Sequence, residues 1–461
     1  MENKKIVHPY MPNSEPNVKK SMMDYLGIDS IEELYTYIPD ELRFKGKLGF
    51  PEAFLSEYEL KEHVESILTK NKSSKEFVSF LGGGCYNHYV PAICDEISQR
   101  SEFLTAYCGG TYTDHGKTQA IFEFTSLMGE LLDMDVVGLP TYDGSQAAGT
   151  SIRMANRITG RKEVLVPSTM SPEVLSHVKN YCDFMDINYI DFDKDLGILD
   201  LDDLKSKISD KTAAVYIENP SFLGTIETQG KLISEVAHNN GAIFIVYAEP
   251  SSLGVLEAPS NYGADIICGD IQCLGMHMMY GSGHAGFIST HNKSEYIMNY
   301  PTHFYGLYEN SKGEFGFSRS LNQRTSYGSR ENAVEYLGTN SGLWAITAAV
   351  YLSLMGPEGM YELGMDILSK SKYLGNEVNK LGSVNLKFKD GVNFSEVVID
   401  FSKSGKSVDQ INKALLEKGI FGGLNLSNIS KELENCLLVC VTEKTKKEHI
   451  DMLIKELSNI I

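Results

Sequence analysis

Between Leu232 and Asn292 the sequence contains neither lysine nor arginine. That stretch therefore offers no side-chain amine able to bond covalently to an aldehyde. Basic residues are scarce throughout: 42 Lys and Arg face 61 Asp and Glu, a net charge of −19 over 461 residues. This excess of negative charge argues against nucleic acid or an anionic membrane as a principal partner. No apolar run reaches the length of a bilayer span. The opening Met1-Glu2-Asn3-Lys4-Lys5-Ile6-Val7-His8 lacks the apolar core of a secretory signal, so a cytoplasmic location is expected. The eight cysteines (85, 94, 108, 182, 268, 273, 436 and 440) form no C-x-x-C pair. Free buried thiols in a reducing compartment are the expectation, not a disulfide framework.

What is present suits a large core: 42% of residues are hydrophobic, and charged residues, at 22%, are near the soluble average. The first ~80 residues read as an irregular extension with short helices, carrying turn signals at Met11-Pro12-Asn13-Ser14 and Ile38-Pro39-Asp40. From Tyr142 the pattern alternates. Helices are expected over Ser145–Thr159, from the Ser171-Pro172-Glu173 cap to about Tyr181, and over Leu232–Asn239. Strands are expected at Val164–Val166, Ala213–Ile217, Ile243–Tyr247, Ala264–Cys268 and Ala285–Ser289. Such alternation implies a mostly parallel sheet with helices on both faces. Gly356-Pro357 should end a long apolar helix from Gly342 and begin a second domain. There Val397–Phe401 and Cys436–Val441 read as strands, and Ser407-x-x-Gln410 and Thr445-x-x-Glu448 as capping boxes before helices. The expected division is an N-terminal extension over 1–80, a large α/β domain over 81–355 and a small C-terminal α/β domain over 356–461. This is the outline of the fold-type I pyridoxal-phosphate enzymes, and the segment without lysine is where such an enzyme keeps its Schiff-base lysine.

Tyr142-Asp143-Gly144-Ser145-Gln146-Ala147 lies at a turn that opens a helix. Small residues there let backbone N–H groups face a phosphate, with the helix dipole behind them; a plain glycine turn is the competing reading. Glu249 ends the strand that would supply an Asp to the pyridinium nitrogen, and it is one methylene longer. Where the lysine should follow, the chain reads Ile271-Gln272-Cys273-Leu274-Gly275-Met276-His277-Met278-Met279, and the nearest lysines are Lys231 and Lys293. Ser145, Glu249, Gln272 and His277 are therefore expected to mark a vestigial cofactor site. Gly116-Lys117-Thr118 resembles the end of a Walker A loop, but Thr111 stands where that pattern needs glycine. Cys273, His277 and His284 lack the spacing of a metal-ligand set, so no metal is expected. Gly82-Gly83-Gly84-Cys85-Tyr86-Asn87-His88-Tyr89 couples a flexible glycine run to aromatics that could wall a pocket or an interface.

A resemblance runs from Tyr10-Met11-Pro12-Asn13 nearly to the C-terminus. It includes Phe80–Pro91, Ser101–Tyr107, Gln119-Ala120-Ile121-Phe122-Glu123-Phe124, Tyr142-Asp143-Gly144 and Ser252-Leu253-Gly254. It continues through Leu321-x-x-Arg324, Arg330-Glu331, Thr339-Asn340, Gly422-Gly423-Leu424 and Leu433-Glu434-Asn435. On these residues the chain resembles the alpha subunits of the two-chain glycine dehydrogenase (decarboxylating), the P-protein of the glycine cleavage system.

The resemblance implies that pyridoxal phosphate is held by a partner beta subunit and that this chain binds none covalently. It implies an alpha-beta pair that dimerises into a heterotetramer. The pair would decarboxylate glycine and pass the aminomethyl group to the lipoyl arm of the H-protein. Tyr86, His88, Tyr89, Tyr107 and Arg324 would line the shared site. The sequence departs from the family over Cys108–Lys117, at Ala248-Glu249-Pro250 (Val-Asp-Pro in the family) and over 270–284, which holds Ile271–Gly275 and the Met- and His-rich loop after it. Two other readings stay open. One is a stand-alone enzyme with altered cofactor binding near Ser145 and His277. The other is a diverged paralogue acting as a scaffold or on a different amino acid.

Overall fold

The computed structural model describes residues 7–46, 48–104, 116–335, 337–338 and 341–461. Tyr107 lies outside the described residues. The chain forms two compact units, 1–71 and 72–461. In the first, Glu15 caps the helix Pro16–Leu26 by accepting from Val18 N, and Gly27 closes it in the left-handed conformation. Ser56 caps a second helix, Glu57–Leu68. No described residue of this unit is buried.

The second unit is built on a seven-stranded sheet: β1 (Val136–Val137), β2 (Glu163–Pro167), β3 (Asp186–Ile190), β4 (Thr212–Asn219), β5 (Ile243–Ala248), β6 (Ile266–Asp270) and β7 (Gly286–Thr290). Their spatial order is β1-β7-β6-β5-β4-β2-β3. From β3 to β6 the pairings are parallel, and β7 and β1 are added antiparallel. Side chains of a strand alternate between faces, and both faces are covered. In β5, Phe244, Val246 and Ala248 pack with Ile121, Phe124 and Met128 of the helix Gly116–Leu132 and with Ala345 and Ile346 of the long helix from Gly342. Ile243 and Ile245 pack on the other side with Ile152 and Ala155 of the helix Gly144–Thr159 and with Val174 and Val178 of the helix Pro172–Tyr181. Each fully buried Ile, Val or Phe contributes about 1.5–3 kcal/mol of transfer free energy. The continuous apolar runs of β4 and β5 follow from this two-sided burial.

Two expected boundaries are corrected. Gly356 does break the helix from Gly342 (φ 60, ψ −178), but helical structure resumes at once and runs to Val378. Pro357 then stands at the first position of the new segment, where its missing N–H costs nothing. The C-terminal helix is Lys447–Ile460, one turn-residue later than a Thr445 cap would give. The Thr445 hydroxyl instead accepts from Thr442 N at 3.0 Å. The other box forms as expected: Ser407 and Gln410 cap the helix Val408–Glu417 reciprocally.

The C-terminal part carries an antiparallel sheet in the order Asn385–Leu386, Glu396–Asp400, Cys436–Cys440, Leu424–Asn425. Val397, Ile399, Leu437 and Val439 face the helices 408–417 and 447–460, while Val398 and Leu438 face Phe192 and Phe222. The loop after β4 meets this sheet backbone to backbone: a Cβ on Gly224 (φ +82) would lie 2.1 Å from the Glu396 carbonyl oxygen. Gly224→Ala should therefore cost about 3 kcal/mol, read as a lower urea midpoint; an unchanged midpoint would show that this contact is not close in solution.

Candidate functional site

A cavity of about 210 Å³ opens at the carboxyl ends of β4, β5 and β6, where ligands of open α/β sheets bind. One wall is the glycine run. Gly83 and Gly84 take positive φ (+78 and +117). Gly83 N donates to Glu396 Oε1 at 2.7 Å, and Tyr86 Oη donates to Glu396 Oε2 at 3.2 Å. Gln272, just past β6, clamps the same run: Tyr86 N donates to its Oε1 at 3.0 Å, and its Nε2 donates to Tyr86 O at 3.0 Å. A Cβ on Gly82 would fall 2.2 Å from Glu396 Oε1, so the run passes where only glycine fits.

The helix N-termini around the cavity are already occupied by carboxylates of this chain. Gly144 N donates to Asp270 Oδ2 at 2.8 Å, and Gln146 N donates to Asp143 Oδ1 at 2.7 Å. The next helix is served the same way: Ser171 N donates to Glu218 Oε1 at 3.1 Å, and Phe222 N also donates to Glu218, at 3.2 Å. Glu249 accepts from Ser251 N and from Ser251 Oγ at 2.5 Å. Asp143, Glu173, Glu218, Glu249 and Asp270 all line the cavity, and among the described residues His284 is the basic one in its lining.

This arrangement does not fit pyridoxal phosphate. Its phosphate would need the N–H donors that Asp270 and Asp143 hold, and would sit among five carboxylates. Tyr247 closes the same corner, its Oη 2.3 Å from where a Gly144 Cβ would be. Asp270 ends the strand after which an anchoring lysine would come.

Burial raises the Glu218 carboxyl to about 7 despite the N–H groups of Ser171 and Phe222. It raises Glu396 likewise to about 7, against the hydrogen bonds from Gly83 and Tyr86. His284 is raised to about 10, chiefly by its hydrogen bond to Asp270 and then by that to Cys85; its Nδ1 is 3.2 Å from Asp270 Oδ1. Burial, reinforced by Glu249, pushes the Cys273 thiol well up.

Of the residues expected from sequence, Tyr86, Ser145, Glu249 and Gln272 come together at this cavity. His277 does not: it is half-exposed and pairs with Asp95 at 3.0 Å. His88 is buried in an ion pair with Glu443 at 2.7 Å, and Tyr89 is 60% exposed. Arg324 is buried elsewhere, donating to the carbonyls of Tyr300 (2.5 Å) and Thr302 and stacking over Phe304. In the sequence, Asp143 stands out only within the turn motif and His284 only as a rejected metal ligand, and Glu218, Asp270 and Glu396 are missed as site residues. Asp270 and His284 sit in the segment that departs from the family, which was the available signal. Glu396 is 313 residues from Gly83 and had none.

Glu218, Glu396 and His284 act on stability with one sign. Folded Glu218 and Glu396 keep a proton from pH 4.5 up to about 7, where the unfolded chain has lost it. Folded His284 does so from 6.5 up to about 10. The folded state binds more protons, so stability falls as pH rises through these windows. The melting temperature should fall steadily from pH 5 to pH 9.5, and Glu218→Gln should flatten the part below pH 7. A melting temperature that rises over that range would contradict the assignment.

A sequence profile of the glycine cleavage system P-protein matches residues 8–457. A probable glycine dehydrogenase (decarboxylating) subunit 1 of Shouchella clausii is 35% identical over 455 residues, covering 98% of this chain and 99% of that protein. The protein of the same description from Bacillus thuringiensis subsp. konkukian is 36% identical over 456 residues, covering 99% and 100%. The crystal structure of glycine decarboxylase (P-protein) of the glycine cleavage system, in inhibitor-bound form, superposes with a TM-score of 0.86 at 29% identity, over 99% of this chain and 100% of that one. A NifS-like protein, at a TM-score of 0.64 and 12% identity over 83% and 99%, shares the fold alone. The architecture is that of the pyridoxal-phosphate fold-type I enzymes. With profile, relatives and fold in agreement over nearly its whole length, the chain belongs to the glycine cleavage system P-protein family.

Proposed function

We propose that this chain is the subunit of a two-chain glycine decarboxylase that does not anchor pyridoxal phosphate, the cofactor being carried by a lysine of a partner beta subunit. The observation that carries the reading is the cavity itself. Asp270 and Asp143 hold the helix N–H groups a phosphate would need, and no lysine lies between Leu232 and Asn292. A fold of this kind that has lost both anchors contributes surface and positioning, not the electron sink, which is the cofactor's part.

The relatives described as subunit 1 support a further subunit. So does the first unit, 1–71. Its described residues bury nothing, and it exposes Tyr10 (97%), Tyr25 (91%) and Tyr37 (79%). A segment without a core of its own needs a surface to order it. In this reading the assembly is a heterotetramer, it hands the aminomethyl group to the lipoyl arm of an H-protein, and Tyr86 belongs to the glycine-rich wall that meets the shared site.

Co-expression with a lysine-bearing beta chain tests this. The expected result is co-purification in equal amounts and glycine-dependent release of CO₂ with H-protein present, with neither chain active alone. Turnover by this chain alone would refute the proposal, as would a purified pair that forms and yet has no glycine decarboxylase activity.

A further inference from the structure

Between β6 and β7 the chain makes a tight turn over Met278–Gly283. The Met278 carbonyl accepts from three N–H groups: Gly281 at 2.7 Å, Ser282 at 3.1 Å and Gly283 at 3.2 Å. Ser282 Oγ donates to Met279 O at 2.6 Å. This wiring puts three successive residues in the left-handed region, Met279 (φ +44), Tyr280 (φ +57) and Gly281 (φ +87). Glycine enters that region freely, whereas a residue with a Cβ is strained there. Among the described residues, Met279 and Tyr280 are the only adjacent non-glycine pair with positive φ. Tyr280 is also the most exposed large hydrophobic residue described in the second unit, at 101% against 68% for Phe315, the next. Neither feature serves the fold of the lone chain. The strain opposes folding, and a fully exposed ring removes no apolar area from water.

We propose that Met279 and Tyr280 form a docking knob that seats in an apolar recess of the beta subunit; the inference rests on the two-chain reading above. Position favours that occupant. Gly281 and His284 line the cavity, so the knob stands at its mouth. The turn is tied to the glycine-rich wall, with Cys85 Sγ donating to Met278 O at 3.8 Å. That wall carries Tyr86 and is the face assigned above to the shared site, so the knob continues the same face outward.

The chemistry is that of a dry contact. Met278–Gly283 has no charged side chain. The histidines on either side each face an aspartate of this chain, His277 to Asp95 at 3.0 Å and His284 to Asp270 at 3.2 Å. An apolar centre inside a polar rim is the layout of a protein interface. A stiff tyrosine supplies contact area with little loss of entropy, and the methionine beside it adapts to the recess. Because the turn fixes the backbone before docking, only the two side chains remain to be ordered.

The test follows dissociation of the reconstituted pair, read as exchange of labelled for unlabelled full-length chain. Tyr280→Gly removes the ring and relieves the backbone together. It should speed dissociation about tenfold or more, yet leave the melting temperature of the lone chain at or above the wild-type value. Tyr280→Phe keeps the ring and should dissociate within about threefold of wild type. A Tyr280→Gly pair that dissociates at the wild-type rate would overturn the knob and leave the two-chain reading standing. A lone Tyr280→Gly chain that melts lower would overturn it by giving Tyr280 a task in its own fold. A dimer of this chain alone that Tyr280→Gly dissolves would assign the knob to a second copy, and so overturn it too. If the wild-type chains form no pair, the two-chain reading itself fails and takes this inference with it.

Discussion

The hydrogen bond from Gly144 N to the Asp270 carboxylate decides what this molecule can hold. It joins the first turn of the helix Gly144–Thr159 to the end of β6 at 2.8 Å. In a sheet of this architecture that corner is where a helix N-terminus would receive a phosphate. Here an internal carboxylate satisfies the orphan N–H and the helix dipole together. The same device recurs one helix further on, where Glu218 accepts from Ser171 N, and at the start of the turn Pro250–Gly254, where Glu249 accepts from Ser251 N. Charges that elsewhere would belong to a ligand are built into the chain, so the cavity is formed and acidic without one.

A second constraint follows from how the glycine run is fixed. Glu396 reaches it from the C-terminal sheet and Gln272 from the end of β6. Both contacts go to backbone atoms, and Gly82 and Gly224 approach Glu396 too closely for any side chain. The wall bearing Tyr86 is consequently a rigid joint between two sheets. His88 adds to the same joint through Glu443, which gives that histidine a structural task. A wall of this kind can present side chains to a partner in fixed positions while the chemistry is carried elsewhere.

The architecture was legible in the sequence because its periodicities are strong. β4 and β5 are apolar runs bounded by turn residues, and Ser407 with Gln410 announces the helix it caps. Gly356-Pro357 was read as an end and is a break, since proline both stops a helix and opens one. The cavity was half legible. Ser145, Glu249 and Gln272 follow from their places at strand ends and a helix start. Glu218 and Glu396 did not, because a carboxylate facing a cavity and one facing water look alike in a sequence. Arg324 shows the converse: a motif arginine spends its guanidinium on the carbonyls of Tyr300 and Thr302. Whether an arginine meets a ligand or a backbone is settled by tertiary distance alone.

The central claim is that this cavity cannot retain pyridoxal phosphate by itself. It is tested most directly by incubating the purified chain with the cofactor, removing excess by gel filtration, and recording the visible spectrum before and after borohydride reduction. The account predicts no stoichiometric cofactor in the protein fraction. A yellow protein carrying one cofactor per chain, trapped on a single lysine of this chain, would contradict it.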